Sequence, residues 1–207
     1  MTNWKTNRRN LLGLLTGTVA ALFGRRHALA ATPTPSAAAG PFYPAPAMRF
    51  DDADNDLVKI EGVVREAGGE VVYLNGRVLD TNDKPIEDAR VEIWQCDVNG
   101  RYLHTGDRQA VDRDSAFQGF GHVVTGADGI YEFRTIKPVP YPGRSPHIHI
   151  KVNAGGEELI TQFYLAGEPA NDRDFLFNRL SENERPAVEM LFVDKGRGPE
   201  TQIDIII

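Results

Sequence analysis

Two histidines separated by one residue are the part of the sequence that most directly suggests chemistry. His147 and His149 stand in a segment whose alternating pattern predicts a β-strand, His-Ile-His-Ile-Lys-Val (147–152). Because successive side chains of a strand point to opposite faces, both imidazoles are predicted to project from one face. Two imidazoles on one face supply half of the donors of a metal site. The alternative interpretation is a pair of surface histidines above an apolar core face.

Two residues just before the histidines favour a metal site. Tyr141 lies between two prolines, and Arg144 adds a positive charge at a place where a bound anion would need one. A phenolate is a hard, anionic oxygen ligand that suits Fe(III) better than a soft or monovalent ion. A phenol has an ordinary pKa of about 10, so only a strongly charged ion displaces its proton near neutral pH. Tyr141 as a ligand would therefore favour ferric iron, although a lone tyrosine is more often a packing residue.

Short alternating segments, bounded by turn residues, must position these side chains. Strands are predicted near 70–80, 90–97, 120–125, 130–136, 147–152, 159–165 and 202–207. The connecting segments are rich in Asn, Asp, Gly and Pro, as β-turns require. The pattern predicts an all-β fold, an antiparallel β-sandwich with long loops and at most one short C-terminal helix. That helix would begin at Ser181, which forms a capping-box pattern with Glu184, and Pro186 fits its first turn.

The 207 residues suffice for one globular domain preceded by two shorter segments. Residues 1–30 are similar to a twin-arginine-type signal peptide: Arg8 and Arg9 precede an uncharged stretch, and a small-x-small pattern predicts cleavage near Ala30. An ordinary secretory signal that contains two arginines is the alternative. Either signal predicts export to the periplasm or beyond, without a membrane anchor in the mature form. Residues 31–69 are predicted to be a linker or N-terminal arm, and 70–207 the β-sandwich catalytic domain.

The charge distribution argues against nucleic acid as a partner. All five basic residues of the predicted signal stand without an acidic residue, and without them 18 basic residues remain against 29 acidic ones. The resulting net charge of −11 would repel phosphates. The single cysteine, Cys96, lies in an apolar segment, so a buried thiol is favoured over a reactive one, and an intramolecular disulfide is excluded.

Several motifs, in order and spacing, resemble the intradiol ring-cleavage dioxygenases, the family of protocatechuate 3,4-dioxygenase and catechol 1,2-dioxygenase. The resemblance extends from about Gly76 to Leu165. It rests on the segments GRVLD (76–80), VEIWQCD (91–97), GRY (100–102), FQGFG (117–121), DGIYEFRTIKP (128–138), YP (141–142), HIH (147–149) and TQFY (161–164). The family fold is a β-sandwich, in agreement with the strand pattern.

The resemblance implies four ligands of a non-haem Fe(III) ion, namely Tyr102, Tyr141, His147 and His149. It further implies that Tyr141 and His149 are axial, the other two equatorial, and a solvent hydroxide the fifth ligand. Tyr102 is identified by the resemblance alone, because nothing in its spacing distinguishes it from an aromatic residue at the end of a strand.

The resemblance also implies that Arg144 and Gln162 take part in catalysis, together with Tyr141 as an acceptor of a substrate proton. The segment between Tyr141 and the histidines is shorter here than in the best-known members, which bears on the placement of Arg144. His122 stands where relatives often carry an arginine, and a structural role is predicted for it. His104 is interpreted as a solvated loop residue.

The implied reaction is the cleavage of a catechol-type aromatic diol by O2 between its two hydroxylated carbons, giving a cis,cis-muconate-type product. Because family members assemble as oligomers, a homo-oligomer, a dimer or larger, is predicted. Two other classes are consistent with the residues alone: a non-catalytic exported β-sandwich binding module, and an exported protein that binds zinc or copper. Catechol, protocatechuate, hydroxyquinol and larger catechols all remain candidate substrates.

Overall fold

The computed structural model describes residues 31–207, so the predicted export signal lies outside the described residues. Regular structure consists of ten strands, numbered in chain order: β1 Val71–Leu79, β2 Arg90–Trp94, β3 Phe120–Val124, β4 Ile130–Ile136, β5 His147–Ala154, β6 Glu157–Leu165, β7 Glu189–Met190, β8 Val193–Asp194, β9 Pro199–Gln202 and β10 Ile205–Ile206. Short 3-10 turns span Pro46–Met48, Pro169–Arg173, Phe177–Arg179 and Arg185–Ala187. Each of the seven predicted strands is present, the last one divided between β9 and β10, whereas β7 and β8 were not predicted.

Two five-stranded sheets form a sandwich. In the first sheet, β1 pairs with β4 in antiparallel and with β9 and β10 in parallel, and β8 borders β9. In the second sheet the order is β3-β2-β5-β6-β7, antiparallel except for the β6–β7 pair. The predicted all-β sandwich is therefore confirmed, and its parallel pairings are confined to short strands near the C-terminus.

The hydrophobic core lies between the two sheets. The first sheet contributes residues such as Leu74 and Phe133, and the second contributes the alternate residues of β5, all without solvent exposure, namely Ile148, Ile150 and Val152. This is the face on which the alternating pattern places the apolar residues of that strand. The other face of β5, which carries the histidines, is consequently the outer face of the second sheet.

The segment 31–69 runs back over the sandwich and covers part of that outer face. The backbone N–H of Ala37 donates to the carbonyl of Ile160 on β6 at 2.7 Å. The Tyr43 hydroxyl donates to the Glu92 carboxylate on β2 at 2.6 Å. These bonds anchor the arm to two different strands of the second sheet, so its position relative to the sheet is well defined.

The short helix expected from Ser181 is reduced to a single 3-10 turn, Arg185–Ala187. The capping interaction itself forms, because the Ser181 backbone N–H donates to Glu184 Oε2 at 2.8 Å. Val188 then leaves helical geometry, with φ −131° and ψ 9°, and the next two residues pair with β6 as β7. Pairing with the sheet therefore ends the turn before a helix can propagate. Among residues 31–207, no helix has the length and apolar character required to cross a membrane.

Candidate metal centre

His147 and His149 point the same way from β5, as the strand pattern predicts, and are buried with 1% and 2% exposure. Their Nε2 atoms are 3.1 Å apart. The Nδ1–H of His147 donates to the carbonyl of Ser145 at 2.6 Å, which fixes the tautomer and leaves a lone pair on Nε2. The two imidazoles thus direct donor nitrogens at one small region above the sheet.

His149 is held by packing rather than by a hydrogen bond at its outer nitrogen. Its ring stacks on Trp94 of the neighbouring strand, with centroids 4.6 Å apart and planes 7° from parallel. Its Nδ1 has no hydrogen-bond partner within the part of the chain that the structure describes. On the arm, a Cβ atom added at Gly40 would lie only 3.3 Å from the His149 ring, so the backbone of the arm closes over this histidine.

Tyr102 reaches the histidines from the turn that follows β2. Gly100 makes this turn possible, because it adopts a φ of 78° that other residues rarely tolerate. The backbone N–H of Tyr102 then donates to the buried carboxylate of Asp107 at 2.8 Å. The Tyr102 hydroxyl lies 3.2 Å from His149 Nε2, and Phe42 of the arm stacks on its ring at 5.1 Å. The residue that only the resemblance identified is therefore in direct contact with His149.

Tyr141 and Arg144 are the two ends of a tight turn. The Arg144 backbone N–H donates to the Tyr141 carbonyl at 2.9 Å, and the central Pro-Gly sequence with a Gly143 φ of 81° fits a type II turn. The Tyr141 ring centroid lies 5.2 Å from that of Tyr102 and 5.5 Å from that of His147. Arg144 Nη1 is 3.3 Å from the Tyr141 hydroxyl. The shorter segment before the histidines therefore still places Arg144 at the site.

Gln162 lies beside His149 on β6, because the two residues are direct partners in the antiparallel ladder. Its Oε1 accepts hydrogen bonds from Arg144 Nη2 at 2.6 Å and from the Tyr164 hydroxyl at 2.9 Å. Its Nε2 donates to the Ala38 carbonyl of the arm at 2.8 Å. The amide of Gln162 thus connects the arginine to the arm that covers the site.

Trp94 and Asp174 are among the residues at the site that were not predicted. Trp94 could have been found, since it belongs to a predicted strand. Asp174 follows the turn Pro169–Arg173, and its carboxylate accepts a hydrogen bond from Arg144 Nε at 2.8 Å. No periodic pattern marks Asp174, which lies in irregular chain 25 residues after His149.

The electrostatics of the site keep the imidazoles neutral and the phenols protonated when no cation is present. Burial, helped by the positive charge of Arg144, lowers the pKa of His147 to about 3. Burial, together with His147 and Arg144, lowers the pKa of His149 well below its ordinary value. Burial also raises the pKa of both Tyr102 and Tyr141, although Arg144 partly opposes the rise for Tyr141. A cation that binds here must displace phenol protons, which requires a strongly charged ion.

The donor atoms of the cluster fit such an ion. Two neutral imidazole nitrogens and two phenol oxygens meet on one buried face, and phenolate oxygen is a hard donor. Within residues 31–207, no group of three or more His, Cys, Asp or Glu side chains is placed to hold a metal ion. Cys96 is buried beside Tyr102, as predicted, and burial raises the pKa of its thiol to about 12. It therefore remains a protonated packing residue rather than a thiolate donor.

The β-sandwich that carries this cluster is shared with solved structures of dioxygenases, a class of enzymes. A family model described as Dioxygenase matches residues 39–189, and the chain belongs to the intradiol ring-cleavage dioxygenase family. The protocatechuate 3,4-dioxygenase beta chain of Burkholderia cepacia is 35% identical over 167 residues, which are 74% of this chain and 71% of that protein.

A second relative and a solved structure show how much of the chain is similar to known proteins. The hydroxyquinol 1,2-dioxygenase of Nocardioides simplex is 32% identical over 157 residues, 67% of this chain but only 49% of that protein. This chain therefore spans about half the length of that relative. Among solved structures, the dioxygenase domain of a dioxygenase and carbohydrate-binding protein fusion from Streptomyces sp. SirexAA-E superimposes with a TM-score of 0.62. It is 31% identical, and the match covers 85% of this chain and 98% of that domain.

Proposed function

We propose that this protein is a non-haem Fe(III) dioxygenase that cleaves a catechol-type aromatic diol with O2 to a cis,cis-muconate-type product. The observation that carries the proposal is the convergence of three donor atoms beside Tyr141 and Arg144: His149 Nε2 lies 3.1 Å from His147 Nε2 and 3.2 Å from the Tyr102 hydroxyl. Membership of the intradiol family supports the reaction type. The names of the relatives specify different substrates, so assays with a panel of diols are needed to identify the one that this protein cleaves.

The proposed ligands of the ferric ion are Tyr102, Tyr141, His147 and His149. When bound, the ion would supply Lewis acidity that favours a doubly deprotonated diol and makes its ring reactive toward O2. The neutral state of both imidazoles suits this role, because a neutral imidazole can bind a metal ion without first losing a proton.

Tyr141 is the proposed acceptor of a substrate proton. It is the most solvent-accessible of the four donors, since it is half-buried while the other three are at most 2% exposed. Its oxygen lies 3.3 Å from Arg144 Nη1, so the guanidinium can stabilise negative charge on this oxygen or on a substrate oxygen beside it. As a phenolate, the form it would take as a ligand, Tyr141 can therefore accept a proton from an incoming diol while the more deeply buried donors stay fixed.

The arm has the proposed role of excluding water. Phe42 stacks on Tyr102, and the backbone at Gly40 lies against His149, so two of the four donors are covered by this segment. Gln162 holds the arm at Ala38 and orients Arg144 through its other amide atom. Exclusion of water strengthens the electrostatic effect of the arginine on a charged substrate.

The iron-replete protein is expected to be reddish, because tyrosinate bound to Fe(III) gives a charge-transfer absorption, and to consume one O2 for each diol cleaved. An oxygen electrode with a panel of catechol, protocatechuate, hydroxyquinol and larger catechols measures the uptake, and product spectra distinguish intradiol from extradiol cleavage. A colourless iron-replete protein without uptake would exclude the proposal in favour of a binding module or a zinc or copper protein.

Light scattering of the same preparation tests the predicted homo-oligomer.

We also propose export through the twin-arginine route, on the basis of Arg8 and Arg9 in the first thirty residues. Substitution of both arginines with lysine is expected to retain the precursor in the cytoplasm, as cell fractionation and the mass of the protein would reveal. The matched control replaces Arg25 and Arg26 with lysine, which preserves the same charge and leaves the twin-arginine pair intact. Undiminished export of the first variant would indicate the general secretory route instead.

A further inference from the structure

Asp174 is a buried carboxylate that the proposed reaction does not use directly, and its side chain is 0% exposed. One of its oxygens, Oδ2, accepts hydrogen bonds from Arg144 Nε at 2.8 Å and from the backbone N–H of Ser145 at 2.9 Å. The other, Oδ1, accepts from the backbone N–H groups of Leu176 and Phe177 at 2.9 Å and 3.1 Å. The same carboxylate therefore holds the arginine, the chain just before the histidines and the turn on which it stands.

The pair that Asp174 forms with Arg144 is almost wholly removed from water, since the arginine side chain is only 9% exposed. Burial by itself raises the pKa of Asp174, but the bonds from Arg144 and from the amides of Ser145 and Phe177 bring it below its ordinary value. The carboxylate is therefore ionised. A buried ion pair costs much of its attraction in desolvation, so stability alone is a weak reason for such a pair to occur here.

The geometry of the guanidinium indicates what the pair achieves. A guanidinium is planar, so fixing two of its nitrogens fixes the direction of the third. Asp174 holds Nε, and Nη2 is held by Gln162 Oε1 at 2.6 Å and by the Tyr164 hydroxyl at 3.3 Å. Nη1 is thereby directed at the Tyr141 hydroxyl, 3.3 Å away. This longer contact leaves Nη1 available to a negatively charged oxygen at that position.

The hydrogen bond from the Ser145 backbone to Asp174 also positions the chain segment just before the histidines. Ser145 lies two residues before His147, and its carbonyl accepts the Nδ1–H of that histidine. Its hydroxyl donates to Asn171 Oδ1 at 2.5 Å, on the turn that precedes Asp174. The segment from Asn171 to Asp174 thus fixes both the guanidinium and the chain that sets the tautomer of a proposed ligand.

We propose that Asp174 is a positioning residue, which orients Arg144 so that Nη1 faces the oxygen of Tyr141 and of a substrate bound beside it. The proposal rests on the proposed function, since it assigns Asp174 a role in the same reaction. Asp174 does not touch the substrate. It acts through Arg144, and this distinguishes it from a residue that only stabilises the turn.

The decisive test is a double-mutant cycle on kcat/KM with Asp174→Asn and Arg144→Gln. In the wild-type background, Asp174→Asn is expected to lower kcat/KM by roughly 10- to 100-fold, mainly through kcat, because misplacement of a group that stabilises charge has effects of this size. In the Arg144→Gln background the same substitution is expected to change it by less than about twofold, because residues of one network are not additive. Equal factors in the two backgrounds would overturn the proposal and leave Asp174 a purely structural residue.

Asp114 provides a matched control, because it is another buried aspartate that accepts from an arginine, Arg65, and from the backbone N–H groups of Gly68 and Ala116. Thermal unfolding of the metal-free proteins is expected to show a loss of stability for both Asp→Asn variants. Only Asp174→Asn is expected to shift the charge-transfer band of the iron-replete protein, since only it alters the partner of the Tyr141 oxygen. An equal shift in Asp114→Asn would contradict the proposed role.

A second variant and a metal-free measurement keep the test independent of folding and of the proposed reaction. Arg144→Lys retains the charge next to Asp174 but loses the planar guanidinium, whose N–H donors point in fixed directions. A decrease in kcat similar to that of Asp174→Asn is therefore expected. Full activity of this variant would overturn the proposal. In the metal-free wild type, ¹⁵N NMR is expected to show a slowly exchanging Arg144 Nε–H that is lost in Asp174→Asn. If the wild type lacks ring cleavage but this NMR result holds, the proposed function fails while the positioning contact stands.

Discussion

Replacement of Tyr102 by phenylalanine is expected to lower the affinity for ferric iron by more than about 100-fold. Loss of a residue that only hydrogen-bonds to a metal ligand lowers metal affinity by up to about 100-fold, and loss of a ligand itself should have a larger effect. The substitution removes an anionic oxygen donor and leaves the ring in place. Tyr102 is 2% exposed and its oxygen is 3.2 Å from His149 Nε2, and no group of three or more His, Cys, Asp or Glu side chains among residues 31–207 offers another metal site. Titration with ferric iron against a competing chelator measures the affinity, and the charge-transfer band and oxygen uptake should fall with it.

The metal-free fold should tolerate the same change. The hydrogen-bond partners of the Tyr102 hydroxyl in the described chain are the side chains of His149 and Tyr141, so its removal leaves no backbone group without a partner. Tyr131→Phe is the matched control, because Tyr131 is equally buried but donates to the carbonyl of Ile203 at 2.7 Å, far from the histidines in the fold. The control should lose about 1–3 kcal/mol of stability and keep its iron affinity. A Tyr102→Phe protein with full iron content and full activity would refute the proposed ligand.

The side chains that were predicted from local pattern are those whose position depends on their own strand. His147 and His149 alternate with isoleucines on β5, and the alternation alone determines which face each side chain takes. The Pro-Gly sequence after Tyr141 similarly determines a turn, which is why Arg144 returns to the phenol. For these residues, short-range stereochemistry and the hydrophobic pattern contain the necessary information.

Tyr102, Asp174 and the arm depend on contacts that no local pattern encodes. Tyr102 is brought to His149 by a turn 47 residues earlier in the chain, and only the family resemblance identified it. Asp174 reaches Arg144 from irregular turns 30 residues later. Residues 31–69 were predicted as a linker or N-terminal arm, and no local pattern indicates that Phe42 would stack on Tyr102. Such positions follow from tertiary packing, which overrides local propensity.

The C-terminal turn illustrates the converse, a correct local signal with a different outcome. The Ser181–Glu184 capping interaction forms, yet the chain makes only one 3-10 turn before β7. Because short helices have an unfavourable nucleation step, the backbone groups of the two residues of β7 form hydrogen bonds with β6 instead of extending the turn into a helix. The sequence pattern correctly identified the capping interaction, but neither the start of the turn at Arg185 nor the competing sheet.

Mild acidification is expected to destabilise the metal-free protein steeply, because two neutral histidines are buried at the site. The pKa of His147 is lowered to about 3 and that of His149 well below its ordinary value, mainly by burial. Among the charged groups facing them, Arg144 opposes protonation and Asp174 favours it more weakly. In the unfolded chain both rings take up protons near pH 6.5, as ordinary histidines do. Below that pH the unfolded state binds protons that the native state does not, so the free energy of unfolding decreases as the pH falls.

Each histidine contributes up to about 1.4 kcal/mol per pH unit, so the pair should lower the free energy of unfolding by roughly 2 to 3 kcal/mol per unit once the pH is well below 6.5. Urea unfolding of chelator-treated protein at pH 7, 6 and 5 measures this slope. The carboxylates with lowered pKa, which include Asp174 and Glu92, contribute mainly below their ordinary values of 3.8 for Asp and 4.5 for Glu. The interval from pH 6 to 5 therefore reports chiefly on the histidines.

A histidine variant separates this effect from general acid sensitivity. His149→Phe keeps an aromatic ring on Trp94 but cannot titrate, so it should remove about half of the slope, one proton of two. His122→Gln, at a less buried histidine of β3, should change it much less. Stability that stays constant from pH 7 to pH 5 in the wild type would contradict neutral, buried imidazoles. It would also weaken the metal proposal, because the burial that keeps both imidazoles neutral, and so able to bind an ion, is the same burial that makes the metal-free site sensitive to acid.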